Sequence, residues 1–413
     1  REFIYNRSEG NPYYLREIIH AMMDNESLVL DEETGIWQVN PTEDLVELPD
    51  SLQGILQEYI AKLSAEERHV LQVASVMGSF FWFMLLQRML QMDEETLNRH
   101  LTSLQRHQLI AEEYVEEYMG MRFTFSSTLM REATYESLLL PQRKAYHRQC
   151  AELIEQWLEE RAGQVTSLNQ IYGYLAFHYE MAGIYEKQMH YHIKTAEVAE
   201  GLHANEEALW HLGRALEVSE QLLTEELADA AEEERKAIYR QQFSVLSKRR
   251  WIRMLMAEVT GSIEDAARAL GLTEGPLEGE KDLRVDAILM YSYATTMSLF
   301  TQEESEKISN LCEEALYLSR QMEDQQRELE TLVQITFIRS NTSHANVHEP
   351  SMQALHLAWE LNDVNMQFSI MLNWGYHLVA HDQTEEGMKY VEDALRLTDT
   401  VDDPAAQMNV LNV

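Results

Sequence analysis

The chain has 413 residues, of which 45% are hydrophobic and 25% charged, and this size and composition predict a globular protein of two to three domains. Its formal net charge of −37 argues against binding to nucleic acid or to an anionic membrane, because both depend on cationic protein surfaces. The sequence lacks the apolar run of about 18 residues that a membrane-spanning helix needs.

Other totals concern the fold class and the setting. Gly and Pro are sparse while Leu, Ala, Glu, Gln and Met are abundant, which favours helix over sheet. The cysteines, Cys150 and Cys312, lie far apart in the sequence, so we predict free thiols and a cytoplasmic location. The start, REFIYNRSEG, has neither an initiating Met nor a signal-peptide pattern, and we expect the chain to be a piece of a longer polypeptide.

The first segment, residues 1–63, predicts a small helical module. Gly10, Asn11 and Pro12 form a turn signal that also begins a helix, since Pro is tolerated where the first amides have no acceptor. LVLDEETGIWQVN predicts a hairpin with Thr34 and Gly35 at its tip, and LPDSLQGILQEYIAKL predicts another helix.

Residues 64–140 follow the pattern of a winged-helix domain. Ser64 and Glu67 form a capping box before the first helix, and WFMLLQRML and EETLNRHLTSLQRHQLI predict the second and third. IAEEYVEEYMGMRFTF predicts a two-stranded wing. Such a domain can place its third helix in a DNA groove, but the glutamates that flank that helix and fill the wing would repel phosphate groups. The junction FTFSSTLMREATYESLL, residues 123–139, predicts a strand that runs into a helix.

From residue 141 to residue 413 the sequence predicts consecutive helical pairs. EEALYLSRQMED, MQALHLAWELND and EDALRLTDTVDD share an Ala-Leu-x-Leu motif that begins at Ala315, Ala354 and Ala394, so the spacings are 39 and 40 residues. This period is typical of a helix-turn-helix solenoid of tetratricopeptide-like type. Each unit can bury its apolar face only against its neighbours, so we expect one stack with a concave surface.

Residues 224–282 fit this pattern least well. They predict a long polar helix and a loop, GLTEGPLEGEKD, and between them lies KRRWIRM, the only dense basic cluster. A basic run next to Trp251 can be a nucleic-acid or phosphate site. The interpretation that we favour is a solvated helix face that balances neighbouring glutamates.

Neither a metal site nor a catalytic site is predicted. Six histidines crowd one region without the Cys, Asp or Glu spacing of a zinc site, and they are His147, His178, His190, His192, His203 and His211. Ser127 lacks the glycine elbow that surrounds a serine nucleophile.

The order of the motifs resembles the C-terminal half of the STAND class of signal-transduction ATPases (AAA/NACHT-like), in the branch with tetratricopeptide-like sensor arrays. The resemblance covers about the first 220 residues and depends on four motifs in a fixed order. They are GNPYYLREII, the Trp-bearing hairpin, LPDSLQGILQEYIAKLSAEERHVLQVASVMG and FTFSSTLMREATYESLLLPQRKAYHRQCAELIE. The resemblance implies a mainly α chain with a helical lid of an ATPase module at 1–63, a winged-helix domain at 64–140 and a tetratricopeptide-like α-solenoid at 141–413.

The resemblance also implies a nucleotide site. In the family a Gly-x-Pro motif in the lid contacts the adenine base, and here Gly10, Asn11 and Pro12 match it. A His at the start of the last winged-helix helix usually contacts the ADP phosphate. Ser127 stands in that place, where its hydroxyl can donate one hydrogen bond but carries no charge. The phosphate-binding loop GxxxxGK[ST] is absent, so we expect ADP or ATP only with an upstream ATPase core, and no enzymatic activity.

Two functions remain open. One is the nucleotide-gated regulatory region of a STAND-type signalling or transcription regulator, whose repeats bind a protein or small-molecule inducer and which self-associates when active. The other is a tetratricopeptide-like scaffold for protein partners with no nucleotide role. A winged-helix DNA regulator is a third hypothesis, which the charge disfavours.

Overall fold

The computed structural model describes residues 19 and 23 and the ranges 28–31, 36–39, 60–113, 120–161, 168–298, 301–341 and 346–397. The chain divides into two compact units, Arg1–Tyr191 and His192–Val413. The described part is mainly α, as the sequence predicts.

The predicted hairpin opens the first unit. Strands β1 (Leu28–Asp31) and β2 (Ile36–Val39) pair antiparallel, with Leu28 opposite Val39. Its predicted tip at Thr34 and Gly35 and most of the helix predicted from LPDSLQGILQEYIAKL lie outside the described residues.

Helices and a small sheet follow the hairpin. The capping box is confirmed, because Ser64 Oγ accepts from the Glu67 N–H at 3.1 Å and Glu67 Oε2 accepts from the Ser64 N–H at 3.0 Å. The elements, in chain order, are α1 (Ala65–Met77), β3 (Phe80–Trp82), α2 (Phe83–Leu90), α3 (Glu94–Arg106), β4 (Ile110–Glu113) and β5 (Arg122–Phe125). The antiparallel sheet has the order β3-β5-β4. Strand β3 was missed because three residues next to an apolar helix show no period of two. The winged-helix assignment stays a prediction.

The other described helices of the first unit share one core with α1 and α2. They are α4 (Thr128–Glu136), α5 (Leu140–Glu160), α6 (Leu168–Ala182) and α7 (Tyr185–Gly201), the last of which continues into the second unit. Helix α5 packs on α1, α2 and α6. One cluster of buried residues therefore holds Leu71 and Phe81 together with Trp157 and Tyr179, and burying such large side chains is the main stabilising term.

The second unit is built from helices that pack in chain order. After α8 (Asn205–Gln221) and a π-helical turn (Leu222–Glu226), the described helices are α9 (Glu232–Leu255), α10 (Val259–Glu274), α11 (Lys281–Thr296), α12 (Gln302–Gln321), α13 (Gln325–Asn341), α14 (His348–Glu360), α15 (Val364–Ala380) and α16 (Thr384–Leu397). From α8 onward each helix contacts the next, and α13 also contacts α11 and α15. This is the predicted α-solenoid of tetratricopeptide-like helical pairs.

The Ala-Leu-x-Leu repeat marks every second helix of this stack. Ala315, Ala354 and Ala394 lie on α12, α14 and α16 and have no exposed surface. A methyl side chain lets a neighbouring helix approach closely, which explains why the motif recurs with the period of the pairs.

The turns that connect one helical pair to the next also repeat. Asn362 adopts a left-handed φ of 54°. Asp363 follows it and caps α15, where its Oδ1 accepts from the Met366 N–H at 2.9 Å. Asp324 does the same for α13, accepting from the Arg327 N–H at 3.0 Å. In the sequence, Asp324, Asp363 and Asp403 stand at or near the ends of the three repeat segments, which predicts that they are turn residues. The structure confirms this for Asp324 and Asp363, while Asp403 lies outside the described residues.

The segment that fits the repeat pattern least well also forms a helical pair. The predicted long polar helix is α9, and MAEVTGSIEDAARAL, for which we predict no element, supplies most of α10. The predicted loop GLTEGPLEGEKD is too long, because α10 continues to Glu274 and α11 begins at Lys281. Leu277 within that loop is completely buried, which holds the connection against the helices.

Candidate functional site

The second unit contains a groove of about 680 Å³. Its lining comes from α9, α11, α13 and α15, which are the first helices of consecutive pairs, together with Met297 just after α11. On α13, for example, Glu330, Val333, Gln334 and Phe337 are spaced three and four residues apart, so one face of the helix points into the groove. The volume lies within the range of about 300–1,000 Å³ that is usual for small-ligand sites.

Large apolar side chains form most of the groove's lining, which consists of Phe243, Trp251, Leu289, Met290, Tyr293, Met297, Val333, Phe337 and Met366. Three of them remain exposed: Trp251 at 46%, Met297 at 44% and Tyr293 at 36%. Exposed aromatic and methionine side chains gathered in one concavity are typical of a binding surface, because Met adapts its shape to its partner.

Arg250 is the only cationic residue among the described residues that line the groove. Its Nε and Nη1 are buried and have no hydrogen-bond partner in the described part of the chain. The guanidinium lies over the ring of Tyr293, 6.0 Å from its centroid. Burial lowers the pKa of Arg250 below its usual range, which means that lost hydration is not replaced by an anionic partner.

The other cations of KRRWIRM have partners. Lys248 Nζ donates to Glu197 Oε1 at 2.6 Å, which agrees with the prediction that the cluster balances neighbouring glutamates. The prediction is wrong for the arginines, because Arg249 and Arg253 both donate to Asp265, whose side chain is completely buried. The bonds from Arg249 and Arg253 to Asp265 join α9 to α10, whereas Arg250 lies in the lining of the groove. A linear sequence could not show this division, since it depends on which side of α9 each residue lies.

Two carboxylates line the groove as well, and each accepts hydrogen bonds from a residue other than Arg250. Asp286 accepts a bidentate bond from Arg327, with Nε to Oδ1 at 2.8 Å and Nη2 to Oδ2 at 2.9 Å. Glu330 Oε1 accepts from Gln326 Nε2 at 3.1 Å. Neither forms an ion pair with Arg250.

Two side-chain amides complete the polar lining, Gln334 on α13 and Asn373 on α15. Gln334 Oε1 is buried and accepts no hydrogen bond from the described residues. A buried acceptor without a donor costs about 1–3 kcal/mol, so a bound molecule with an N–H group would recover that free energy.

The structure describes only one of the predicted nucleotide-contacting residues. Ser127 is half-buried in the first unit and is the N-cap of α4, where its Oγ accepts from the Met130 N–H at 3.2 Å. That bond uses a lone pair of the hydroxyl and leaves its proton free to donate. Gly10, Asn11 and Pro12 lie outside the described residues.

Four of the six clustered histidines form two buried hydrogen-bonded pairs, which sequence reasoning did not find. His147 Nδ1 lies 2.9 Å from His178 Nδ1 in the first unit, and His192 Nδ1 lies 2.9 Å from His211 Nδ1 in the second. Tyr135 Oη lies 2.9 Å from the other ring nitrogen of His147, Nε2. Burial lowers the pKa of His147 to about 4, and burial followed by the charge of His211 lowers the pKa of His192 to about 3.

Within the described ranges, no group of three or more His, Cys, Asp or Glu side chains is placed to hold a metal ion. Cys150 and Cys312 are both buried free thiols. The helices that the structure describes include none that is long and apolar enough to cross a membrane.

Comparison with known proteins yields only distant structural likeness. No protein-family model matches the sequence, and no curated protein matches it. A signal transduction ATPase with numerous domains and a tetratricopeptide repeat sensor, from Pyrococcus horikoshii, matches 98% of this chain at 11% identity and a TM-score of 0.35. This chain spans 58% of the length of that protein.

Two further solved structures were found. The apo form of RapI is 13% identical, with a TM-score of 0.41, over 86% of this chain and 80% of its own. The apo form of the quorum sensor NprR from B. thuringiensis is 12% identical, with a TM-score of 0.33, over 83% of this chain and 91% of its own. At these TM-scores the likeness is weak.

Proposed function

We propose that this chain is a partner-sensing helical-repeat module that binds a peptide segment in the groove of its second unit and acts by binding rather than by catalysis. The observation that carries the proposal is the lining itself. Helices α9, α11, α13 and α15 direct apolar side chains into one concavity, which also holds a cation and an amide oxygen that have no partner among the described residues. Repeat proteins present such extended surfaces because stacked pairs align equivalent helices side by side.

A peptide fits the chemistry of this lining better than a purely apolar ligand does. An apolar molecule would leave Arg250 and Gln334 without partners and would add the cost of removing their remaining water. A peptide supplies N–H and C=O groups along its backbone and apolar side chains between them. The exposed ring of Trp251 and the flexible Met297 can contact those side chains.

A groove-blocking variant tests this function. We expect wild-type protein to retain members of a random decapeptide pool with mixed free and amidated ends, detected by mass spectrometry. Ser369→Trp places a large ring in the groove and should abolish this retention. The matched control is His356→Trp, since the side chain of His356 is 72% exposed and does not line the groove. Equal retention by both variants, or none by the wild type, would contradict the proposal.

The sequence resemblance supports a second candidate, in which the module belongs to a nucleotide-gated STAND-type regulator. Gly10, Asn11, Pro12 and Ser127 would then contact ADP or ATP held by an upstream ATPase core, and an inducer in the groove would shift the chain to a self-associating state. The hydroxyl proton of Ser127 is available for such a phosphate contact, since its N-cap bond uses only a lone pair.

This candidate predicts weaker nucleotide binding in a defined variant of a longer chain that includes an ATPase core. Pro12→Ala together with Ser127→Ala should raise the Kd for ADP, measured by isothermal titration, by about tenfold if one phosphate hydrogen bond and one ring contact are lost. Unchanged affinity would leave the scaffold without a nucleotide role as the better description.

A further inference from the structure

Arg250 belongs to the basic cluster KRRWIRM, in which each of the other cationic residues pairs with a carboxylate. Lys248 is bound to Glu197, and Arg249 and Arg253 are bound to Asp265. Arg250 alone is aimed at the groove, with two of its nitrogens buried and unpartnered in the described structure. Burying a charge without an opposite charge costs free energy, so this site favours an anion from outside the chain.

The two acidic residues that line the groove, Asp286 and Glu330, form no ion pair with Arg250. Asp286 accepts a bidentate bond from Arg327, which also donates to Asp324. Glu330 accepts from Gln326 and forms no ion pair with Arg250. Arg250 has no ion pair among the described residues, so an anion for it would come with the ligand. A guanidinium is suited to a carboxylate, to which its N–H groups donate charge-assisted hydrogen bonds.

A second unmet group restricts the ligand further. Gln334 Oε1 is a buried acceptor in the same groove and requires an N–H donor. Fatty acids offer a carboxylate without an N–H group, so they would satisfy Arg250 and leave Gln334 unpaired. The last residue of a peptide carries both groups on one Cα atom.

The carboxylate that binds Arg250 could belong to the C-terminus of a peptide or to an internal Asp or Glu side chain, and the lining of the groove favours the C-terminus. Phe243, Met290 and Tyr293 line the groove together with Arg250, and all three present apolar surface. An internal Asp or Glu would use its side chain for the carboxylate and would have nothing apolar to offer there. A C-terminal residue with an apolar side chain supplies the carboxylate, the N–H group and the apolar contact together.

We infer that Arg250 and Gln334 form a subsite for the C-terminal residue of a peptide, with Arg250 binding its free carboxylate, Gln334 accepting from a backbone N–H, and the apolar lining taking an apolar side chain. This inference deepens the proposed function and rests on it. The cation–ring contact with Tyr293 holds the guanidinium in place before the ligand arrives.

The test compares two N-acetylated random hexapeptide libraries that differ only at the C-terminus, one a free acid and the other an amide. We expect the full chain to select binders from the acid library, with an apolar last residue. Amidation of the best binder should weaken its Kd at least about tenfold, the effect of losing about 1.4 kcal/mol from a charge-assisted contact. This comparison uses wild-type protein and so does not depend on the folding of any variant.

Arg250→Met removes the guanidinium that is proposed to bind the peptide carboxylate. It should bind the best acid peptide at least about tenfold more weakly and should show no preference for acid over amide. Because Arg250 forms no ion pair in the described structure, the variant should melt no lower than the wild type. The control is Arg268→Met, which removes an exposed arginine of α10 that pairs with Glu220 outside the groove and should leave binding unchanged.

The outcomes separate the inference from the proposed function. Peptides that compete for the groove equally well as acids and amides, or that bind through internal Asp or Glu residues, would overturn the C-terminal subsite and leave the peptide-binding groove intact. Unchanged affinity of Arg250→Met would overturn it as well. If neither library yields a binder, the proposed function fails together with the subsite.

Discussion

At the scale of single residues, this chain places polar groups in two contrasting kinds of buried setting. Some of these groups have hydrogen-bond partners, such as Asp265, which accepts from Arg249 and Arg253. Others lack them, as Arg250 and Gln334 do among the described residues. The first kind contributes to stability by satisfying groups that folding removes from water, whereas the second reduces stability and is expected where a ligand binds.

The buried histidine pairs make stability depend on pH. Two facing Nδ1 atoms can share only one proton in their hydrogen bond, and burial opposes the charged form of His147 and His178. Their pKa values are lower in the folded chain than in the unfolded chain, so the unfolded chain takes up protons first as the pH falls below about 6.5. The free energy of unfolding should therefore decrease from pH 6.5 to about 4, by about 1.4 kcal/mol per pH unit for each extra proton bound by the unfolded chain.

Urea unfolding across this pH window measures the effect. His147→Gln removes one titrating group of the pair, so its free energy of unfolding should depend less steeply on pH than that of the wild type. His356→Gln is the control, since His356 is an exposed histidine and should leave the slope unchanged. If His147→Gln keeps the wild-type slope, the pair does not contribute to the pH dependence.

At the scale of elements, the close approach of helices depends on small residues at the crossing points. Helices α15 and α16 meet at Gly375 and Gly387, where a Cβ atom added to Gly387 would lie 2.6 Å from the Gly375 carbonyl oxygen. Small residues are also buried on other helices, where Ala176 and Ala208 have no exposed surface. Backbone atoms cannot move aside as a flexible side chain can, so Gly387 has a steric role that its helical position alone would not require.

Gly387→Ala should therefore destabilise the second unit by about 1–3 kcal/mol, because the overpacking at the helix crossing exceeds the gain in helix propensity of about 1 kcal/mol. Gly271→Ala is the matched control, because Gly271 is also helical but no heavy atom lies within 4 Å of an added Cβ. This control should stabilise by about 0.5–1 kcal/mol. Thermal and urea unfolding measure both changes, and a stabilised Gly387→Ala variant would show that the two helices can move apart without cost.

At the scale of the whole molecule, the second unit stacks its helices so that each one depends on its neighbours. Each helix from α8 onward contacts the next one, and α13 also contacts α11 and α15. Stability in such an array is approximately a sum of nearest-neighbour terms. The same stacking aligns alternate helices along the groove, so the fold that stabilises the unit also creates its binding surface.

Much of the secondary structure could be predicted from the sequence. The Ser64–Glu67 capping box, the turn aspartates at 324 and 363 and the repeat that begins at Ala315 are local or periodic signals, and the structure contains each of them. Such signals need only neighbouring residues, because capping and helical periodicity act within a few turns. Strand β3 and helix α10 were missed. Strand β3 pairs with β5, which is distant in the sequence, and α10 packs against α9 and α11.

The site could be predicted only in part. The sequence identified KRRWIRM as the dense basic cluster and the helical repeats as the place for a partner, but not the different roles of the arginines within the cluster. Neighbouring residues on a helix point about 100° apart, so Arg249 and Arg250 face different surroundings. Asp265 on α10 determines which arginines are neutralised, and the tertiary structure alone brings it to them.

The sequence by itself determined that this protein is mainly α, that residues 313–403 repeat with a period of 39 to 40 residues, and that its charge disfavours anionic partners on most of its surface. Those properties follow from composition and local periodicity. The tertiary structure decided which residues face the groove, and which of its charged groups were left without partners. That decision needs the packing of four non-consecutive helices, because a charge is free or neutralised according to what lies opposite it in space.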